Sequence, residues 1–265
     1  MIAMKVYNFL KTFLMKCFYY RRRKKFSIDL TLSEINDRFK VLDIYLYLHH
    51  WFLFLAPDWL KEHRVYFKEY NRGFGEDAFH AMWFKLFQEY NPKNILEIGV
   101  YRGQTLSLFT LLSLRLNYES DVFAISPFTN AGDSVSSYLK NLDYYKDVIN
   151  NFNYFNLPLP RFFRGFSTDP NIIDDISSKK FDLIYIDGNH DYIVAKHDFD
   201  VYSKMLVING LIVLDDASLY TSYTPPFFST AGHDGPSRVA NEISKDNFKE
   251  IICVGHNRVF QKISF

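Results

Sequence analysis

"NILEIGVYRGQTLSLF", residues 94–109, decides the fold. An apolar run reaches an acid, Glu97, and two glycines follow, Gly99 and Gly103. Gln104 and Thr105 then open a second apolar stretch. Residues 94–100 have the length and texture of a buried strand, and residues 105–116 those of a helix. Glycine lets the chain turn tightly there and lets a ligand approach the backbone closely. The helix start offers backbone N–H groups that no carbonyl of the helix can satisfy.

The same texture repeats downstream. "DVFAIS" (121–126), "PRFFRG" (160–165), "FDLIYID" (181–187) and "GLIVLDD" (210–216) read as further strands. "FKEIICVG" (248–255) and "RVFQKI" (258–263) close the chain as a tightly spaced pair. A helical segment, residues 191–206, follows the fourth strand. Strands alternating with helices predict an α/β fold with a mostly parallel seven-stranded sheet and helices on both faces. The close spacing of the last pair predicts an antiparallel last strand. Ligands of such sheets bind at the carboxyl ends of the strands, where Glu97, Ser126, Asp187, Asp215 and Asp216 fall.

A dinucleotide site would carry three glycines as G-x-G-x-x-G. Here the pattern is E-x-G-x-x-x-G. An acid at that place suits a ligand with a positive amino group. S-adenosylmethionine (SAM), with its ammonium, carboxylate and sulfonium, meets that demand. The alternative for the two-glycine turn alone is a tight strand-to-helix connection in another α/β protein.

"EIGVYRG" (97–103), "IDGNHDY" (186–192) and "IVLDD" (212–216) together resemble the class I SAM-dependent methyltransferases. More narrowly they are similar to the metal-dependent sugar and macrolide O-methyltransferases of the macrocin and mycinamicin type. The resemblance extends over about residues 71–263. It implies a Rossmann-like fold, SAM as cofactor, and Mg²⁺ held by Asp187, Asp215 and Asp216. It also implies that His190, three residues after the first acid, is the catalytic base, working beside Asp187.

Chemistry supports those roles independently. An alcohol is a poor nucleophile until its proton leaves. A hard cation on carboxylate oxygens orients hydroxyls and lowers a hydroxyl pKa, and a histidine accepts a proton near neutral pH. Two neighbouring acids reach one ion only where the strand frays, because side chains of a strand alternate. His190 has a second possible role, capping a helix that starts near Asp191. The cofactor set is Glu97, Gly99, Arg102, Gly103, Ser126 and Ser167. Arg102 either pairs with the cofactor carboxylate or faces solvent. Ser167 and Asp169 either reach the adenosine or cap a helix. Glu76 either closes over the cofactor or favours a helix N-terminus.

Three departures from the resemblance stand out. Ser126 occupies the place of the usual ribose-binding acid, Asn189 stands where some relatives carry an acidic base, and residues 217–243 form a long insertion. Loops of that length are usually functional. An acceptor-binding loop or lid is expected, with a helix from about Ser237; a covering loop without substrate contact is the alternative.

The rest of the chain bounds the function. Its 265 residues carry a net charge of +1 and two distant cysteines. No polyanion-binding surface, disulfide framework or zinc spacing is implied, and nucleic acid is not an expected partner. Residues 1–26 are apolar and then strongly basic, with a wheel suited either to an anionic membrane surface or to a helix packed on the domain. Residues 27–93 read as a helical N-terminal extension, and 94–265 as the Rossmann-like catalytic domain. The aromatic run at 41–56 is a candidate homo-oligomer face. The adjacent His49 and His50 make a poor metal pair, since neighbours on a helix point apart.

The expectation is a SAM-dependent O-methyltransferase acting on a hydroxyl of a sugar, glycan or other small glycosylated molecule. It would be cytoplasmic, with a peripheral place at the inner membrane face open through residues 1–25. The alternative is a non-catalytic Rossmann-like module that binds SAM or a nucleotide.

Overall fold

The computed structural model describes residues 26, 28–226 and 228–264. Of the expected amphipathic basic segment, residues 1–26, all but Phe26 lies outside the described residues. Among the described residues four α-helices precede the sheet: α1 (Leu32–Arg38), α2 (Val41–Phe54), α3 (Asp58–Lys68) and α4 (Asp77–Tyr90). Thr31 starts α1 with a capping box, its side chain bonding the Glu34 N–H while Glu34 reaches back to the Thr31 N–H.

From Asn94 strands and helices alternate. They are β1 (Asn94–Ile98), α5 (Gln104–Arg115), β2 (Asp121–Ser126), α6 (Tyr144–Tyr154), β3 (Arg161–Arg164), α7 (Pro170–Ile176), β4 (Phe181–Ile186), α8 (Tyr192–Tyr202), β5 (Leu206–Leu214), α9 (Asp234–Glu242), β6 (Phe248–Val254) and β7 (Asn257–Lys262). The seven strands lie in the order β3-β2-β1-β4-β5-β7-β6. β7 runs antiparallel to both its neighbours, while the pairs from β3 across to β5 are parallel. The expected Rossmann-like methyltransferase architecture, with its antiparallel last strand, is present.

Period-two alternation divides the core. Ile95, Val122, Ala124, Leu183, Leu211 and Val213 face one cluster, which α1, α2, α4, α5 and α6 cover. Leu96, Phe123, Ile125, Ile184, Ile212 and Leu214 face the other, under α7, α8 and α9. The N-terminal helices therefore roof one face of the sheet. Continuing the alternation, Glu97, Ser126, Asp187 and Asp215 all belong to that roofed face. The fold thus gathers four polar positions from four strand ends beneath α4.

Several boundaries differ from the sequence expectations for identifiable reasons. β5 starts at Leu206 rather than 210 because its register against β4 shifts between Phe181 and Leu183. Asn209, with φ of 65°, takes up that irregularity. α9 starts at Asp234 rather than Ser237. Pro236 lies in its first turn, where a proline's missing N–H costs no helix bond. α8 ends at Tyr202, and a 3₁₀ turn, Ser203–Met205, completes the segment expected to be helical to 206. The aromatic run at 41–56 is spent largely inside the chain: Tyr45, Tyr47, Trp51 and Phe52 are buried, leaving Leu53, Phe54 and Leu55 exposed at its end. No described helix is long and apolar enough to cross a membrane.

Candidate active site

The turn after β1 is built by its glycines. Gly99 has φ of +90°, and a Cβ there would sit 1.9 Å from the Asp187 carbonyl oxygen. Only glycine lets the ends of β1 and β4 pass so closely. Gly103, with φ of 79°, caps α5 in the left-handed region. Upstream, the Gln104 side chain accepts the Gly75 N–H at 2.9 Å, which draws the loop before α4 over the start of α5.

A cavity of about 790 Å³ opens at these strand ends, within the range of small-molecule sites. Glu97, Gly99, Gly103, Ser126, Ser167, Asp187, His190, Asp215 and Asp216 all line it. The expected cofactor and metal residues thus share a single cavity. Glu97 is buried, with Oε2 unpaired. Burial, reinforced by the Asp215 charge, raises its pKa well above the usual carboxylate range. An ammonium group would satisfy both the unpaired oxygen and the charge.

Two expected cofactor residues are already engaged. Arg102 also lines the cavity, but its Nε donates to Asp147 at 2.5 Å and Nη1 to the Asn71 carbonyl at 3.2 Å. Ser126 donates to the Val100 carbonyl at 3.2 Å and accepts the Phe128 N–H at 3.3 Å. The Ser126 hydroxyl shapes the backbone after β2 while presenting its edge to the cavity.

The acids sit around the end of β5. The strand stops at Leu214, and Asp216 adopts φ of 51°, a left-handed turn that aspartate tolerates. This break in alternation brings both acids to one side. Oδ1 of Asp215 and Oδ1 of Asp216 lie 3.0 and 2.9 Å from Nδ1 of His256. The Asp187 carboxyl faces the same acids and accepts from the Tyr185 hydroxyl at 3.2 Å. Burial raises its pKa well above normal, helped by Asp215, Asp216 and Glu97. Asp216 is held well below the usual carboxylate range, hydrogen bonds from His190 and His256 outweighing its burial, so two imidazoles already offset part of this charge.

His190 is held at both ring nitrogens. Nδ1 lies 2.7 Å from Asp133 Oδ2 and Nε2 lies 3.0 Å from Asp216 Oδ2. Asp133 also accepts the His190 backbone N–H at 2.9 Å. Asp191, not His190, is the N-cap residue of α8. Burial opposes charge on the ring, but the hydrogen bonds to Asp216 and Asp133 outweigh it and push the pKa up to about 9. The ring of His233 stands edge-on, centroid to centroid at 4.5 Å.

Among the described residues two groups have the spacing of metal ligands, His190–Asp216–His233 and Asp215–Asp216–His256. Asp187 is in neither. Three partners were not evident from sequence. Asp133 comes from the loop between β2 and α6, His233 from the long insertion, and His256 from the turn between β6 and β7. Glu76 sits at the N-cap of α4, accepts from the Tyr45 hydroxyl, and has Oε1 3.9 Å from His256 Nε2. It thus faces the acid cluster from the roof. Of the helix-cap alternatives, Asp169 precedes α7 and binds the Phe166 N–H at 2.8 Å. His49 and His50 diverge as expected, His49 toward Asp77 at 3.7 Å and His50 onto Phe54.

The insertion after Asp216 closes at its base. Ala217 bridges Gly232, and the His233 N–H returns to the Asp216 carbonyl at 2.8 Å. Phe228 and Thr230 of this loop line the cavity, and Phe228 packs on Tyr45.

Comparison with known proteins fits this geometry. Residues 96–217 match a family model described as a methyltransferase domain. An O-methyltransferase from Bacillus cereus in complex with SAH has the same fold, with a TM-score of 0.55, 15% identity, and coverage of 87% of this chain and 100% of that one. An SAH-bound methyltransferase from Podospora anserina gives 0.55 and 14%, covering 79% and 89%. The O-methyltransferase of tomaymycin synthesis from Streptomyces achromogenes, in complex with SAM, gives 0.53 and 12%, covering 84% and 97%. An uncharacterized protein of Sinorhizobium fredii is 25% identical over 139 residues, which is 52% of this chain and 14% of that protein's length. Residues 96–217 thus match a methyltransferase domain, and the chain has the fold of these SAM- and SAH-bound methyltransferases.

Proposed function

We propose that the protein transfers the methyl group of SAM to a hydroxyl of a sugar or glycosylated compound, in the manner of the macrocin and mycinamicin type. The observation that carries this is the shared cavity, lined by Glu97 and the Gly99–Gly103 turn together with Asp187, Asp215, Asp216 and His190. A methyl donor and a hydroxyl-activating group must meet in one such space for in-line transfer.

Glu97 would hold the SAM ammonium, with Gly99 and Gly103 giving the ligand close access to the backbone. Ser167, which lines the cavity, would meet the adenosine. A divalent cation such as Mg²⁺ would be held by Asp215 and Asp216, with Asp187 facing them. The fit rests on Asp215 Oδ1, buried with no aligned hydrogen-bond partner. When bound, the cation would orient the acceptor hydroxyl and lower its pKa.

His190 would take the hydroxyl proton. With both nitrogens between carboxylates it starts as an imidazolium. Release of the Nε2 proton to solvent before the acceptor enters would leave a neutral ring whose Nδ1–H still donates to Asp133, and Nε2 would then take the hydroxyl proton. The insertion at 217–233, carrying Phe228, Thr230 and His233 to the cavity, would bind the acceptor. The test is transfer of labelled methyl from SAM to a panel of sugar and glycoside acceptors, with wild type beside His190→Ala. Label moving to a glycosidic hydroxyl, lost in the variant, supports the proposal; SAM binding without transfer to any hydroxyl supports a non-catalytic binding module instead.

A further inference from the structure

We infer that His256 is a direct ligand of the divalent cation, with Asp215 and Asp216, and that the site therefore takes a first-row transition ion in place of one bound by oxygen alone. The inference rests on the cation site of the preceding reading and replaces Asp187 with His256 as its third protein ligand.

The geometry is that of three donors converging on one point. Nδ1 of His256 stands 2.9 Å from Asp216 Oδ1 and 3.0 Å from Asp215 Oδ1. Neighbouring ligands each about 2.1 Å from an octahedral ion lie ~3.0 Å apart. Asp215 Oδ1 and His256 Nδ1 are both buried and have no aligned hydrogen-bond partner, despite this proximity. Without an ion, a protonated His256 pairs with both carboxylates at this spacing; a bound cation would take the place of that proton.

The far side of the ring is also arranged for ligation. Nε2 faces Oε1 of Glu76 at 3.9 Å, and Glu76 is itself held by Tyr45. Metal-bound histidines commonly direct their other nitrogen to a carboxylate, which fixes the ring and strengthens the donor. The Phe79 ring meets the imidazole edge-on at 4.6 Å and fixes its plane from the roof. Asp187 faces these acids but is absent from both groups of ligand-spaced atoms, and its carboxyl accepts from the Tyr185 hydroxyl.

An imidazole donor changes the choice of ion. Nitrogen ligands suit Zn²⁺, Fe²⁺, Co²⁺ and Ni²⁺, whereas Mg²⁺ prefers oxygen and keeps its waters. Two carboxylates and one imidazole leave positions open for water or for the acceptor's hydroxyls.

The test uses the full chain freed of metal and loaded with Co²⁺, with X-ray absorption at the cobalt edge and Co²⁺ and Mg²⁺ titrations. SAH binding is measured in parallel as a report of folding. Wild type is expected to show imidazole in the cobalt shell. His190→Ala/His233→Ala should keep it, and His256→Ala should lose it. His256→Ala should also weaken Co²⁺ at least tenfold while weakening Mg²⁺ less than threefold. An all-oxygen shell in wild type overturns the inference whether or not the variants fold. So does imidazole that disappears in the double variant or persists in His256→Ala. Failure of SAH to bind wild type would overturn the methyltransferase proposal while leaving the cobalt result to be read on its own.

Discussion

Asp133 grips His190 twice, its Oδ2 lying 2.9 Å from the backbone nitrogen and 2.7 Å from Nδ1. Oδ1 of the same carboxylate accepts the Val135 and Ser136 N–H groups at 3.0 and 2.7 Å. One side chain thus folds its own loop and fixes the ring, and these hydrogen bonds overcome burial to lower its pKa to about 2. His190→Ala should reduce methyl transfer by about 10²–10⁴-fold, the range for a general base. Asp133→Asn should cost a smaller part of this through kcat, with SAM affinity nearly unchanged. Steady-state kinetics with separate SAM titration checks both.

Gly99→Ala should be far more damaging than an average surface change. The new Cβ would lie 1.9 Å from a backbone oxygen that cannot rotate away, at φ of +90°. The left-handed backbone alone costs about 1–2 kcal/mol, and displacement of Asp187 adds to it. We expect a loss of at least about 2 kcal/mol in urea unfolding, together with loss of SAM binding.

Asp198 gives the stability a pH signature. It is buried in α8 with Oδ2 unpaired, and burial raises its pKa to about 6 against the lowering contacts of Ser167 and His197. A raised folded-state pKa means stability present below the unfolded value near 3.8 and lost as pH rises through about 6. Asp198→Asn should remove that loss. The difference between variant and wild type should be near zero below about pH 4 and approach about 3 kcal/mol in favour of the variant at pH 7. Denaturant unfolding at several pH values measures it.

A bound cation should stabilise the folded chain. At one hundred times its Kd, a ligand specific for the native state adds about 2.7 kcal/mol. For a chain of this size that raises Tm by roughly 5–10 °C. EDTA should reverse the shift, and Asp215→Asn/Asp216→Asn should abolish it. Thermal melts with and without a divalent cation decide.

The strands were legible because their apolar runs are short and separated by turn residues, and because "LDD" and "EIGV" mark where two of them stop. Glu97, Gly99 and Asp187 were legible for the same reason, lying at strand ends on the face that alternation assigns. Asp133 was not: it lies in an irregular loop of ordinary composition, and only closure of the loop 127–143 brings it to His190. His256 was hidden because it follows Gly255 in a turn expected to serve only the last hairpin. It reaches the acids because β7 lies beside β5, a pairing of remote segments. Arg102 shows the opposite limit. Its position by the glycine turn left a cofactor contact or solvent open; it lines the cavity, and the partner that sequence did not reveal, Asp147, comes from α6, 45 residues on.

The most direct test is calorimetric titration of the purified chain with SAM and SAH, wild type beside Glu97→Gln, followed by transfer of labelled methyl to glycosidic hydroxyls. The account predicts saturable binding of both, at least tenfold weaker in the variant, and label in an acceptor hydroxyl with wild type. Absence of SAM and SAH binding by a folded wild-type chain would contradict it.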